Sequence, residues 1–183
     1  MALAGLCLTL PLILVTLRGS LQWIGAPFPG FFVMANGLVP TVGLETWTGP
    51  VSGVPFHARV VAVDGQPIEG HDAIYRYVAE RAVGTPIRYR FEKAGTTFER
   101  VVPSMLFGFR DYYPTLGFLI AFGVISILVA VVVNLLQPHH PAALAFLFHG
   151  VLVGSYALTG TALYNPSLEH LSRSHHLLQA LFP

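Results

Sequence analysis

Hydrophobic and polar positions divide the chain into blocks with different periods. Ala2 to Leu17 is apolar apart from Thr9 and Thr16, and Arg18 follows. Thr115 to Leu136 and Ala142 to Tyr164 are longer apolar runs, separated by Gln137-Pro138-His139-His140-Pro141. A helix needs about 20 apolar residues to cross a bilayer. The two later runs therefore predict transmembrane helices, antiparallel because the connector is short, and the first run predicts a marginal one. Between these blocks the pattern changes. Val60 to Val63 is rich in β-branched residues and ends in the tight-turn dipeptide Asp64-Gly65. His71 to Ala82 carries Ile74, Tyr77 and Val78 at i, i+3, i+4 spacing, which predicts an amphipathic helix stopped by Gly84 and Pro86. Ile87, Tyr89 and Phe91 then alternate with Arg88, Arg90 and Glu92, the mark of a strand with one buried face. Lys93-Ala94-Gly95-Thr96 reads as a hairpin turn, with Thr97 to Val102 as the returning strand.

The order strand, Val-Asp-Gly turn, helix, Gly84-Thr85-Pro86, strand, Gly turn, strand resembles a bacterial PDZ domain. The phrases Val61-Ala62-Val63-Asp64-Gly65-Gln66-Pro67-Ile68 and Val83-Gly84-Thr85-Pro86-Ile87 carry the resemblance, which extends over residues 28–104. It implies a peptide-binding role. Gly30, Phe31, Phe32 and Val33 would present backbone N–H groups to a peptide carboxylate, and Ile74 and Val78 would line the groove. The residues also have plainer readings. Pro29 to Val33, with Trp23 and Phe28, reads as an aromatic anchor at a membrane interface, and Ile74 and Val78 are by default core positions. Thr41 to Phe56 reads as loop. Where many bacterial PDZ domains have Gly-Leu-x-x-Gly-Asp before the central strand, this chain has Gly53-Val54-Pro55-Phe56-His57-Ala58.

Composition sharpens the division. The chain is 54% hydrophobic and only 10% charged, with a mean hydropathy of +0.63, where ordinary soluble domains carry roughly 25% charged residues. Apart from Arg18, Glu169 and Arg173, every charged side chain lies between Glu45 and Asp111. The fold class that follows is a membrane protein, α-helical transmembrane spans with an inserted small α+β PDZ-like domain. Its expected segments are a first span over 1–19, the PDZ-like domain over 28–104, spans over 114–136 and 142–164, and an amphipathic tail over 165–183. The first run lacks the positive start and Ala-x-Ala site of a cleaved signal, which favours an uncleaved span. Tyr112 and Tyr113, before Pro114, suit a membrane interface. A net charge of +1 gives no case for nucleic acid as a partner.

Candidate chemistry is sparse. Cys7 is the single cysteine, so no disulfide or Cys-based metal site forms within one chain. The eight His have no matching Cys or carboxylate spacing, and no His-Glu-x-x-His is present. No catalytic residue, metal site or cofactor is expected. His149 lies inside the last span, with Gly150 and Gly154 at small-x-x-x-small spacing and Tyr156 and Thr159 on roughly the same face. That pattern reads as a helix-packing face in preference to proton or ligand chemistry. The whole arrangement resembles the N-terminal input region of polytopic bacterial sensors, the pheromone-type sensor histidine kinases in particular. The resemblance implies a bacterial inner-membrane location, an extracytoplasmic PDZ-like domain and a sensing or protein-interaction role. Its implied partners are the lipid bilayer, a peptide or protein ligand, and further transmembrane helices or a second copy. It also implies a kinase or cyclase output domain beyond this segment. Two alternatives are a fragment of a PDZ-containing membrane protease and an envelope or secretion scaffold.

Overall fold

A computed structural model describes residues 2–68, 70–165 and 168–180. The chain divides into two compact units: residues 22–115, and a helical unit formed by 1–21 with 116 onward.

The first of these is α+β. Strand β1 (Pro27–Phe28) pairs antiparallel with β6 (Met105–Leu106), joining the two ends of the unit. A four-stranded sheet has the order β3-β2-β4-β5, from β2 (Arg59–Val63), β3 (Gln66–Pro67), β4 (Pro86–Lys93) and β5 (Thr96–Pro103). All its neighbours are antiparallel. Two-residue turns set the registers. Val63 faces Gln66 across Asp64 and Gly65, at φ 46° and 82°. Lys93 faces Thr96 across Ala94 and Gly95, at φ 50° and 76°. Two successive positive φ values match the right-handed strand twist, so the pairs Asp-Gly and Ala-Gly close these hairpins.

Helix α3 (His71–Ala79) lies between β3 and β4 in sequence. Ile74 and Val78 join Ile87, Tyr89 and Phe91 from β4, Val60 and Val63 from β2, and Phe31, Val33 and Val39 in one buried cluster. Each such side chain contributes roughly 1.5–3 kcal/mol when fully buried. The helix ends three residues before the expected Ala82. Arg81 N–H turns back to Val78 O at 3.1 Å, its guanidinium donates to Tyr77 O at 2.6 Å, and Gly84 N–H binds Ser104 O at 2.8 Å. Asp64 ties the turn to both neighbours, accepting from Tyr77 Oη at 2.6 Å and from the Arg88 N–H at 2.8 Å. The stretch 41–56, expected as loop, contains a short helix α2 (Thr48–Val51) preceded by buried Trp47. The cause is a long-range contact: Gly49 N–H donates to Gly30 O at 3.0 Å, and Trp47 finds an aromatic pocket.

In the other unit, α1 (Ala2–Leu21) packs on α5 (Phe118–Leu136) and α6 (Pro141–Gly160). A short helix α4 (Phe109–Tyr112) and a π-helical stretch Tyr113–Gly117 lead into α5. The helices Phe109–Leu136 and Pro141–Leu163 are long and apolar enough to cross a membrane, by length and composition. The side chain of His140 accepts the Ala142 N–H at 3.2 Å and Pro141 opens the first turn, which fixes where α6 begins. Gly150 lies against Ser126 and Ala130, and Gly154 against Gly123 and Ile127. Rising numbers on α6 meet falling numbers on α5, so the pair is antiparallel. Helix α7 (Glu169–Gln179) packs back on α6. The side chains of Glu169, His170 and Arg173, and residues 181–183, on which the amphipathic reading of the tail partly rests, lie outside the described residues.

Candidate peptide-binding edge

Gly30 and Phe31 form a bend, and Phe32 to Met34 follow without regular secondary structure. Gly30 has φ 87°, and a Cβ there would strike the Thr48 hydroxyl, so the position accepts only glycine without strain. Beyond it the backbone folds into a narrow hairpin: Met34 N–H donates to Leu38 O at 2.8 Å, and Leu38 bridges Arg59 at the start of β2. Met34 N–H is directed at Leu38, while Val33 N–H is directed at α3. It donates to Tyr75 Oη at 3.0 Å.

Tyr75 is half-buried. Its ring stands edge-on to Trp23 at 4.8 Å and lies over Phe28 at 6.4 Å. Burial pushes the phenol well above its usual range, with the Val33 amide pulling the other way, so it acts as a neutral hydroxyl. Trp23 and Phe28 belong to a larger aromatic cluster with Phe32, Trp47 and Phe107. Trp47 Nε1 donates to Asp111 Oδ1 at 2.8 Å, and the other oxygen of Asp111 accepts the Gly108 N–H at 2.8 Å. One carboxylate thus satisfies the indole and the backbone ahead of α4.

The sequence-predicted groove residues are brought together, but as interior. Phe31, Val33, Ile74 and Val78 belong to the buried cluster, and Phe32 is enclosed with the aromatic rings. Trp23 and Phe28, expected as an anchor at a membrane interface, pack within the α+β unit. What meets the Val33 N–H is Tyr75, which the sequence pattern passed over because it sits beside the stripe set by Ile74, Tyr77 and Val78.

The second set of expected residues lies in the helical unit and splits between surfaces. Gly150 and Gly154 face α5. Thr159 is buried, donates to Ser155 O at 2.9 Å and sits 3.2 Å from His175 Nδ1, while Tyr156 stacks on the His175 ring at 4.5 Å. His149 is exposed, in an open apolar groove with Phe122, Ser126 and Phe146. Asn165 had no sequence signal, yet its buried side-chain amide donates to Gly19 O at 2.9 Å, tying the chain after α6 to α1. Among the described residues, no three His, Cys, Asp or Glu side chains gather as a metal site.

No protein-family model matches the chain, and no curated protein does. Solved structures resemble part of it. The HtrA3 PDZ domain bound to a phage-derived ligand (FGRWV) is 13% identical over 43% of this chain and 84% of its own, with a TM-score of 0.38. The HtrA-type protease AlgW with decapeptide is 16% identical over 44% of this chain, TM-score 0.40, and a serine endoprotease from Yersinia pestis is 14% identical over 44%, TM-score 0.35. Both of these matches span 29% of the protease chain. The order of strands and helix in the α+β unit is the one the sequence pattern predicts.

Proposed function

We propose that this chain is a membrane-embedded interaction module whose α+β unit binds an extended peptide segment and catalyses nothing, serving as the input region of a bacterial signalling protein. The observation that carries the reading is the N–H of Val33, which a side-chain hydroxyl of a neighbouring helix accepts. That hydroxyl fills the place that a strand's carbonyl would take. An added strand would displace it and pair with Phe31 to Met34, the route by which strand addition captures peptides. The membrane part of the reading is supported by the distribution of side chains in the helical unit. Thr16, Ser20, Asn134 and Thr159 are buried, whereas Phe118, Ile125, Leu128 and Leu135 are 49–60% exposed. An outer surface of that kind calls for lipid around it. The input role is supported by connectivity, because the α+β unit is inserted between α1 and α5 and both of its ends run into helices.

Two measurements test this. In a Cys7→Ser background, single cysteines at Glu92 and Tyr164 are labelled in whole cells with a membrane-impermeant maleimide. Glu92→Cys and Tyr164→Cys should both react from outside, and His139→Cys should react only after permeabilisation. Reaction of all three from one side would refute the transmembrane hairpin. The full chain in nanodiscs is then titrated with extended peptides. Chemical shift changes should centre on Phe31 to Met34 and Tyr75, and their absence from that edge would remove the peptide reading.

A further inference from the structure

We infer that Tyr75 is a built-in stand-in for the ligand, and that the site takes an extended peptide whose aromatic side chain replaces the Tyr75 ring. The inference rests on reading Phe31 to Met34 as a peptide edge. Its starting point is that Tyr75 supplies both things an added strand would supply there. Its hydroxyl oxygen accepts the Val33 N–H at 3.0 Å. Its ring fills an aromatic recess beside that amide, edge-on to Trp23 and over Phe28. Neighbouring Ile74 is fully enclosed in the core, but Tyr75 is half-buried. It can therefore turn outward about its own side-chain torsions without dismantling α3.

Two consequences follow from the geometry. A ligand carbonyl or carboxylate oxygen at Val33 must displace the Tyr75 hydroxyl, so the free site is self-competed and binds weakly. Once the ring leaves, Trp23 and Phe28 lose an aromatic partner, and a ligand side chain of similar shape restores that contact where a small one leaves a void. Aromatic pairs prefer such tilted and edge-on arrangements, so the recess discriminates by shape as well as area. Selectivity then arises in a residue of α3 that the groove pattern of the sequence did not include.

The test uses the full chain in nanodiscs and two probes, the pentapeptides Ala-Val-Ala-Val-Phe and Ala-Val-Ala-Val-Ala. The wild type should bind the Phe probe weakly and the Ala probe more weakly still. Tyr75→Ala should bind the Phe probe at least about tenfold more tightly and tighten the Ala probe by clearly less, because both probes gain the freed Val33 N–H but only the Phe side chain refills the recess. Tyr75→Phe keeps the ring and removes the competing hydroxyl. It should tighten both probes by about three- to tenfold, the worth of one hydrogen bond, and speed exchange of the Val33 amide in the free protein. A Tyr75→Ala variant that is folded and gains nothing overturns the proposal. If that variant fails to fold, Tyr75→Phe decides: faster Val33 exchange without tighter binding overturns it equally. Binding to the wild type with the Trp23–Tyr75 contact intact would leave the peptide reading standing and remove the stand-in role. Failure of every variant to bind either probe would remove both.

Discussion

Thr16, Ser20, Asn134 and Thr159 are buried in the helical unit, while Phe118, Phe122, Ile125 and Leu136 face outward. In the α+β unit the distribution is reversed. Phe31, Val60, Ile87 and Phe91 are enclosed, while Arg88, Arg90, Glu92 and Glu99 cover the outside, where Arg90 pairs with Glu99 at 2.9 Å. In the proposed membrane setting, one rule, that apolar surface is removed from water, produces both patterns. The glycines divide the same way. In the α+β unit Gly30 supplies a left-handed backbone, and in the helical unit Gly154 supplies a close approach between helices. The two units thus share a chain but not the character of their surfaces.

The sharpest way to break that comparison is to place the same charge on equally exposed apolar positions of each unit. Ile125 is 59% exposed near the middle of α5, and Val101 is 52% exposed on β5. Ile125→Lys should cost about 3 kcal/mol of insertion, since a lysine at the centre of a membrane helix is disfavoured by that order. Val101→Lys should stay within about 0.5 kcal/mol, the usual range for a surface change. Membrane-fraction yield and thermal unfolding of the purified chain measure the two. Equal effects would mean that both surfaces face water.

A second test turns on the glycines, with smaller effects. Gly154→Leu forces a side chain into Ile127 and the Gly123 carbonyl and should cost about 1–3 kcal/mol by overpacking, separating α5 from α6. Gly30→Ala keeps nearly the same volume but puts a Cβ at φ 87° against Thr48. The left-handed backbone alone costs about 1–2 kcal/mol. Fluorescence of Trp47, which sits in the α+β unit, should report the second substitution and not the first.

How far the sequence carried depended on the range of the cause. The Asp64-Gly65 and Ala94-Gly95 turns, the alternation of Ile87, Tyr89 and Phe91, and the Ile74–Val78 stripe are local patterns, and each stands in the structure where the pattern put it. Tyr75 and Trp47 escaped because their partners are distant: Val33 is 42 residues from Tyr75, and Asp111 is 64 from Trp47. Asn165 reaches Gly19 across 146 residues, and no window of sequence contains both. The candidate edge was half legible for the same reason. Gly30 to Val33 could be singled out from their own residues, but the hydroxyl that meets Val33 depends on how α3 docks.

Acid should separate the two units in the gentlest test. In the α+β unit, Asp64 sits below its ordinary value of 3.8. Burial acts to raise it, but is outweighed by the Tyr77 hydroxyl, the Arg88 N–H and the charges of Arg81 and Arg88. A carboxylate held low in the folded state contributes stability that is complete above 3.8 and is lost as pH falls through its folded pKa. In the helical unit, His175 of α7 is buried, and that burial holds it below its ordinary 6.5. A backbone hydrogen bond involving Tyr156 works against this, and the nearby His176 adds to it. Its neutral form is the one that fits, so docking of α7 is unaffected above pH 6.5 and weakens as pH falls from there toward the folded pKa. Hydrogen exchange corrected for intrinsic rates should therefore show 174–180 loosening between pH 7.5 and 5.5 while β2, β4 and the Asp64 turn stay protected. Lowering the pH below 3.8 should then loosen that turn, and Asp64→Asn should flatten the second step without touching the first. His175→Gln should flatten the first without touching the second. Loosening of both units in a single step would mean that α7 is held by something other than the neutral imidazole against Tyr156 and Thr159.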